Sequence, residues 1–303
     1  MINGILNMNK EAGYTSHDVV AKLRGITKQK KIGHTGTLDP DARGVLLICF
    51  GKATKVADTL TNRKKSYETV LLLGKSSDTQ DGSGQILSES PTSHLTEEEV
   101  VNCIQGFVGA SHQIPPMYSA LKVNGKKLYE LAREGKEVER KPRKIIIEEM
   151  NILEIDLPRV KLEVKCSKGT YIRTLCHDIG QRLGCGGLME ELLRTKVGDY
   201  PLEDSITIDE FRERFESGQM EDVLMKIEDV LNEYPKLVLK EGGETLAYNG
   251  NPLPRRMVTG EVQLQNREKV CLYDDAGNFI GIYQWIDAES GEGRFKVEKM
   301  FIT

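Results

Sequence analysis

No apolar run in this chain of 303 residues approaches the roughly 18 to 20 residues that cross a bilayer as a helix. The opening MINGILNMNKEAG also lacks a basic segment followed by the long apolar core of an export signal. A cytoplasmic protein with no membrane partner is therefore expected. The six cysteines, Cys49, Cys103, Cys166, Cys176, Cys185 and Cys271, form no C-x-x-C pair, and the five histidines are not spaced to complete a zinc site with them. Neither a structural metal nor a disulfide framework is expected. Cys176 and His177 are adjacent, but neighbours on a helix point in different directions, so the pair is not read as nucleophile and base.

Excess positive charge is missing as well: the formal net charge is −4. That average conceals a division. Residues 203–233 carry eleven acidic side chains against three basic ones, which leaves +4 for the remainder. The positive charge is clustered, with five basic and no acidic residues in 22–31 and nine basic against four acidic in 121–144. Two such runs outside one acidic stretch are compatible with a polyanionic partner.

The length allows one large domain and a small one. Thr15 and Asp18 have capping-box spacing ahead of an apolar stripe of Val19, Val20 and Leu23, and Thr96 and Glu99 repeat the pattern, so helices are predicted from each. GVLLICFG (44–51) reads as a strand buried on both faces, SYETVLLLG (66–74) as a second strand, and KSSDTQDGSG after it as a polar turn region. A hairpin is expected at Asn124-Gly125, followed by a short basic helix. VKLEVKC (160–166) alternates as a half-buried strand, and SKGTYIRTLCHDIGQRLG (167–184) turns into a helix closed at Gly184. That strand-to-helix turn places Tyr171 and Arg173 at a sheet edge, where sites are often built. From about 236 the texture changes to short strands and tight turns, including Asp275-Ala276-Gly277, as in a small β-barrel.

The segment KKIGHTGTLDPDARGVLLICFGKATK (30–55) puts one carboxylate, Asp39, between lysines and a buried strand. FGKAT is not the end of a phosphate-binding P-loop, because Ala53 stands where Ser or Thr must reach magnesium and Leu46 where the first glycine is needed. Asp39 and Asp41 share a proline-containing loop, with nothing to set them up as opposed hydrolytic carboxylates.

The blocks GHTGTLDPDARGVLLICFGKATK (33–55), KKSYETVLLLG (64–74), QIPPMYSALKVNGKKLYELAREGKEVER (113–140) and VKCSKGTYIRTLCHDIG (164–180) occur in this order. Together they resemble the TruB family of tRNA pseudouridine synthases over about residues 1–200. The resemblance implies an α+β fold: a catalytic domain over 1–235 with a mixed, largely antiparallel sheet and flanking helices, and a PUA-like barrel over 236–303. It implies isomerisation of uridine-55 in the tRNA T loop without cofactor, metal or guide RNA, by a monomer. The insertion at 112–144 would clamp RNA, with Lys126, Lys127 and Arg133 on phosphates.

By the same resemblance Asp39 is the nucleophile, attacking either C1′ of the nucleotide or C6 of its base. Arg173 is the arginine that pairs with Asp39 and keeps it ionised. Tyr67 stacks on the flipped uracil and helps remove the C5 proton, and Tyr171 lies over the pocket. Leu192 forms an apolar wall, and His34 fills the gap that the extruded base leaves in the RNA. Lys10 occupies a substrate-binding position in NKEAGYTS, where Glu11 replaces the proline usual in the family. The alternative to an enzyme is a non-catalytic tRNA-binding or tRNA-folding protein that uses the same surface.

Overall fold

The capping-box spacings are realised in the computed structural model, which describes residues 1–260, 262–288 and 292–302. Thr15 accepts from the Asp18 amide at 3.1 Å while Asp18 accepts from the Thr15 amide at 2.8 Å, and the helix Ser16–Thr27 starts there. Thr96 and Glu99 do the same for Glu97–Gln105. A third box, Thr207 with Glu210, opens Ile208–Glu216.

The chain groups into two compact units, one of Leu6–Ile48 and Ala57–Asp222, the other of Met1–Ile5, Cys49–Val56 and Val223–Thr303. A mixed sheet, most of whose residues belong to the first, runs in the order Gly4–Lys10, Arg43–Phe50, Gly187–Val197, Lys65–Leu73, Arg159–Cys166, Arg143–Asp156, Gly109–Gln113. Arg43–Phe50 is buried from Gly44 onward, as its uninterrupted apolar run predicts. It pairs in parallel with Gly187–Val197 through Leu193 opposite Arg43 and Arg194 opposite Gly44. Gly44 is required there: its φ is +105°, and a Cβ would lie 2.2 Å from the Arg194 carbonyl oxygen. Lys65–Leu73 and Arg159–Cys166 alternate buried and half-buried residues and pair antiparallel.

The helix Ile172–Arg182 ends at Gly184 with φ +75°, at the glycine expected to close it. It buries Ile172, Leu175 and Ile179 in a core shared with Leu71, Val160, Leu162 and Val164 of the sheet. The insertion contains the hairpin Lys122–Val123/Lys126–Lys127, with positive φ at both Asn124 and Gly125, and the helix Leu128–Arg133.

In the second unit a six-stranded sheet runs in the order Leu253–Pro254, Arg294–Met300, Phe279–Ile286, Lys269–Tyr273, Lys236–Leu239, Val258–Thr259. It closes like a small barrel around Leu237, Leu253, Val270, Leu272, Ile280, Tyr283 and Phe295. Its hairpin turns at 274–278, where Asp274 accepts from the Asn278 amide at 2.7 Å.

Candidate active site

Asp39 sits in the loop between the strands Ile32–His34 and Arg43–Phe50, and that loop is tied down from three directions. The Ser16 hydroxyl accepts from the Leu38 amide at 2.9 Å, so the first turn of a helix holds the residue before the carboxylate. The Lys10 ammonium, fully buried, donates to the carbonyls of Glu11, Pro40 and Ala42 at 2.9, 2.9 and 2.6 Å. Arg194 donates to Val45 at 2.6 Å and to Gly36 at 3.0 Å. With Leu38 and Ala42 buried, the backbone at Asp39 has little freedom and its side chain is displayed.

The displayed carboxylate meets Arg173, whose Nη2 lies 3.0 Å from Asp39 Oδ1. The same nitrogen donates to the Tyr118 carbonyl at 2.9 Å, and Nη1 reaches Asp81 Oδ2 at 3.4 Å. Asp81 is itself fixed, since its Oδ1 accepts from the Thr79 hydroxyl at 2.7 Å, the Ser83 hydroxyl at 2.6 Å and the Ser83 amide at 3.0 Å. Arg173 and Asp81 are 8% and 12% exposed at the side chain, against 35% for Asp39. The guanidinium is therefore a buried anchor shared by two carboxylates, and only Asp39 opens outward. Burial raises the Asp39 carboxyl above the usual carboxylate range; Arg173 opposes that shift and Asp81 adds to it. The pairing expected to keep Asp39 ionised is present, but desolvation outweighs it in the unliganded protein.

Tyr67 is buried beside this group, and burial pushes its phenol up, with Arg194 acting against the shift through charge and a hydrogen bond. Tyr171 is half-buried at the N-terminus of the Arg173 helix, its amide donating to Gln113 Oε1 at 2.8 Å, and Asp39 and Arg173 both act on its phenol. Leu192 packs on the core cluster that contains Leu38 and Tyr67. His34 stands edge-on to His17, ring centroids 5.2 Å apart, and burial lowers its pKa to about 4. It is a neutral ring near pH 7, suited to stacking and not to charge pairing.

Lys126, Lys127 and Arg133 lie on the insertion hairpin and helix. Lys127 and Arg133 both approach the Tyr129 ring, at 5.3 and 5.5 Å from its centroid, and Lys126 lies 3.4 Å from Glu134.

Lys10 is placed differently from the expectation that it binds substrate. Its ammonium is enclosed by three carbonyls of the loop system, and burial lowers its pKa to about 8, so it offers no free cation to a ligand. Lys10→Met should slow catalysis while leaving RNA affinity within about threefold, because the change frees three carbonyls and loosens the Asp39 loop. Single-turnover rates beside filter-binding affinities check this, and a selective loss of affinity would restore the substrate-contact role.

Two participants carry no mark in the sequence. Asp81 lies in a stretch rich in Ser, Asp and Gly, where a carboxylate that anchors an arginine looks like a turn former. Arg194 follows two leucines in a segment whose Glu, Leu and Lys content carries no strand signal.

The chain is similar to known proteins in sequence and in backbone. The pattern for the N-terminal domain of TruB family pseudouridylate synthases matches residues 24–172, and that for the tRNA pseudouridylate synthase B C-terminal domain matches 173–234. The chain is 43% identical over 303 residues to tRNA pseudouridine synthase B of Clostridium perfringens strain SM101, covering 99% of each chain. It is 46% identical over 311 residues to the protein of that name from Lachnoclostridium phytofermentans, covering 99% of this chain and all of the other. In backbone it resembles a chain from the structure of an H/ACA ribonucleoprotein bound to a substrate RNA containing 2′-deoxyuridine. The TM-score is 0.74 at 24% identity, over 99% of this chain and 85% of that one.

Proposed function

Since this chain belongs to the TruB family of pseudouridine synthases, isomerases that act on tRNA, we propose that it converts the T-loop uridine at position 55 with Asp39 as nucleophile. The reaction must break the N1–C1′ bond, turn the uracil while it stays trapped, and rejoin it through C5. A carboxylate held in a poorly solvated pocket beside a fixed guanidinium suits covalent attack on the nucleotide, at C1′ or at C6. The Asp39–Arg173 contact at 3.0 Å is the observation that carries this reading. Tyr67 stacks on the extruded base and accepts its C5 proton, Tyr171 covers the pocket, and Leu192 forms its apolar wall. The neutral His34 ring fills the gap left in the RNA, offsetting part of the few kcal/mol that extrusion costs.

The enzyme works as a monomer in the cytoplasm and needs no guide RNA; the last point is supported by the insertion, which carries its own hairpin with Lys122, Lys126 and Lys127 and a short helix that ends at Arg133. Among the described residues no helix is long and apolar enough to cross a membrane. The test is pseudouridine formation in an unmodified T-stem-loop transcript with purified protein and no other RNA. Activity that appears only with a guide, or binding without conversion, would overturn it.

The clamping role of the insertion predicts a salt effect. Reversing the charge at Lys126, Lys127 and Arg133 together should weaken RNA binding and flatten its dependence on salt by about 0.7 to 0.9 in log–log slope for each phosphate that is no longer neutralised. Titrations from low to moderate salt measure this, and an unchanged slope in the triple variant would put the phosphates elsewhere.

A further inference from the structure

Arg194 is a buried guanidinium, 2% exposed, and no ion pair to it is found among the described residues. Its charge bears on Lys10, His34, Lys65 and Tyr67, the first three of which it pushes toward the neutral form. A cation kept dry with only carbonyls and a phenol for company is costly unless that placement does something. Two of its nitrogens serve the Asp39 loop through Val45 and Gly36. Its strand position is directly opposite Tyr67 in the antiparallel pair of Gly187–Val197 with Lys65–Leu73, so the two side chains share one face of the sheet.

The geometry points to Arg194 as the positioning residue for Tyr67: it fixes the phenol oxygen in the pocket so that this oxygen can take the C5 proton of the rejoined uracil. The inference rests on the proposed role of Tyr67. After C5 is glycosylated it is tetrahedral and bears both hydrogen and C1′, with a C6=N1 double bond in the ring. The C5–H electron pair becomes the new C5=C6 bond, the C6=N1 pair moves onto N1, and N1 takes up a proton. The C5 proton passes to the Tyr67 oxygen, whose own proton leaves to water, so the exchange is neutral overall. A cationic donor on the phenol oxygen gives it the phenolate character this transfer requires and fixes the direction of its free lone pair. Lysine at 194 keeps the charge but loses the planar fork that serves Val45 and Gly36 while facing Tyr67 across the strand pair.

The test is single-turnover isomerisation of two T-stem-loops, one with uridine and one with [5-²H]uridine at the target. Arg194→Lys should slow the reaction about tenfold or more, the scale of a misplaced catalytic group, and should raise the ratio of protiated to deuterated rates above that of the wild-type enzyme. A slower enzyme whose ratio falls or stays unchanged would mean that Arg194 acts through the Asp39 loop, and an undiminished rate would mean that it does not act at all; either overturns the inference. Arg194→Gln, which keeps donors without charge, is read in the same way, with thermal melts of both variants confirming the fold. Tyr67→Phe on the same substrates tests the underlying assignment separately. Full speed in that variant would remove Tyr67 from the reaction, whereas a slow Tyr67→Phe enzyme beside an Arg194→Lys enzyme with an unraised ratio would remove only Arg194.

Discussion

Asp39→Asn should lose at least about 10⁴ in single-turnover rate, the scale on which enzymes with a covalent nucleophile fail when it is removed, with RNA affinity nearly unchanged. The amide keeps the shape of the side chain in a loop already held by Ser16, Lys10 and Arg194. The same variant has a second, opposite signature. Because burial raises the Asp39 pKa in the folded state, the group favours folding below its unfolded pKa and loses that contribution as the pH rises through the folded value. Wild type should therefore give up some stability between about pH 4 and neutrality. Asp39→Asn should lack that component and melt no lower than wild type at pH 7. Thermal melts at both ends of the range, beside turnover of the T-stem-loop, decide it. Substantial turnover by the variant would remove Asp39 as nucleophile, and a steeper loss of stability with pH would contradict the burial argument.

Arg173→Met should be nearly as damaging, for an electrostatic reason. Arg173 is paired with both Asp39 and Asp81 at 3.0 and 3.4 Å, and it is almost completely buried. Removing it leaves two carboxylates with no cation between them, a loss on the order of 3–5 kcal/mol at neutral pH for a broken buried pair. Arg173 is also the group that opposes the upward shift of Asp39, so the Asp39 pKa should climb further in its absence. Activity at pH 7 should fall by at least about 10³-fold and recover in part as the pH is raised, because the nucleophile proposed is the ionised carboxylate. Arg173→Lys should be a poor replacement, since a point charge cannot reach Asp39, Asp81 and the Tyr118 carbonyl at once. Single-turnover rates across pH for both variants test this. A wild-type profile at undiminished rate in Arg173→Met would show that the guanidinium acts elsewhere.

The sequence by itself determined those features that depend on local pattern. The capping boxes at Thr15 and Thr96, the buried strand after Gly44, the alternation over 160–166, the Asn124-Gly125 turn and the stop at Gly184 follow from hydrogen bonds or periodicities a few residues long. The ordered motifs also carried the family, and with it the expectation that Asp39 and Arg173 meet across more than a hundred positions.

Only the tertiary structure decided the surroundings of that pair. Gly187–Val197, interrupted by Glu190, Glu191, Arg194 and Lys196 and with no strand signal, becomes a central strand because its neighbours in the sheet supply its hydrogen bonds and cover it. Once there, it brings Arg194 directly opposite Tyr67 and against Gly44. The turn 77–83 becomes an anchor because its Asp81 faces a guanidinium from another element. Lys10 turns from an expected RNA contact into a buried staple because three carbonyls converge on it. The direction of the Asp39 shift was likewise out of reach. Pairing and burial act on it with opposite signs, and which is larger depends on how much water reaches the carboxylate, a property of the assembled pocket and not of any stretch of chain.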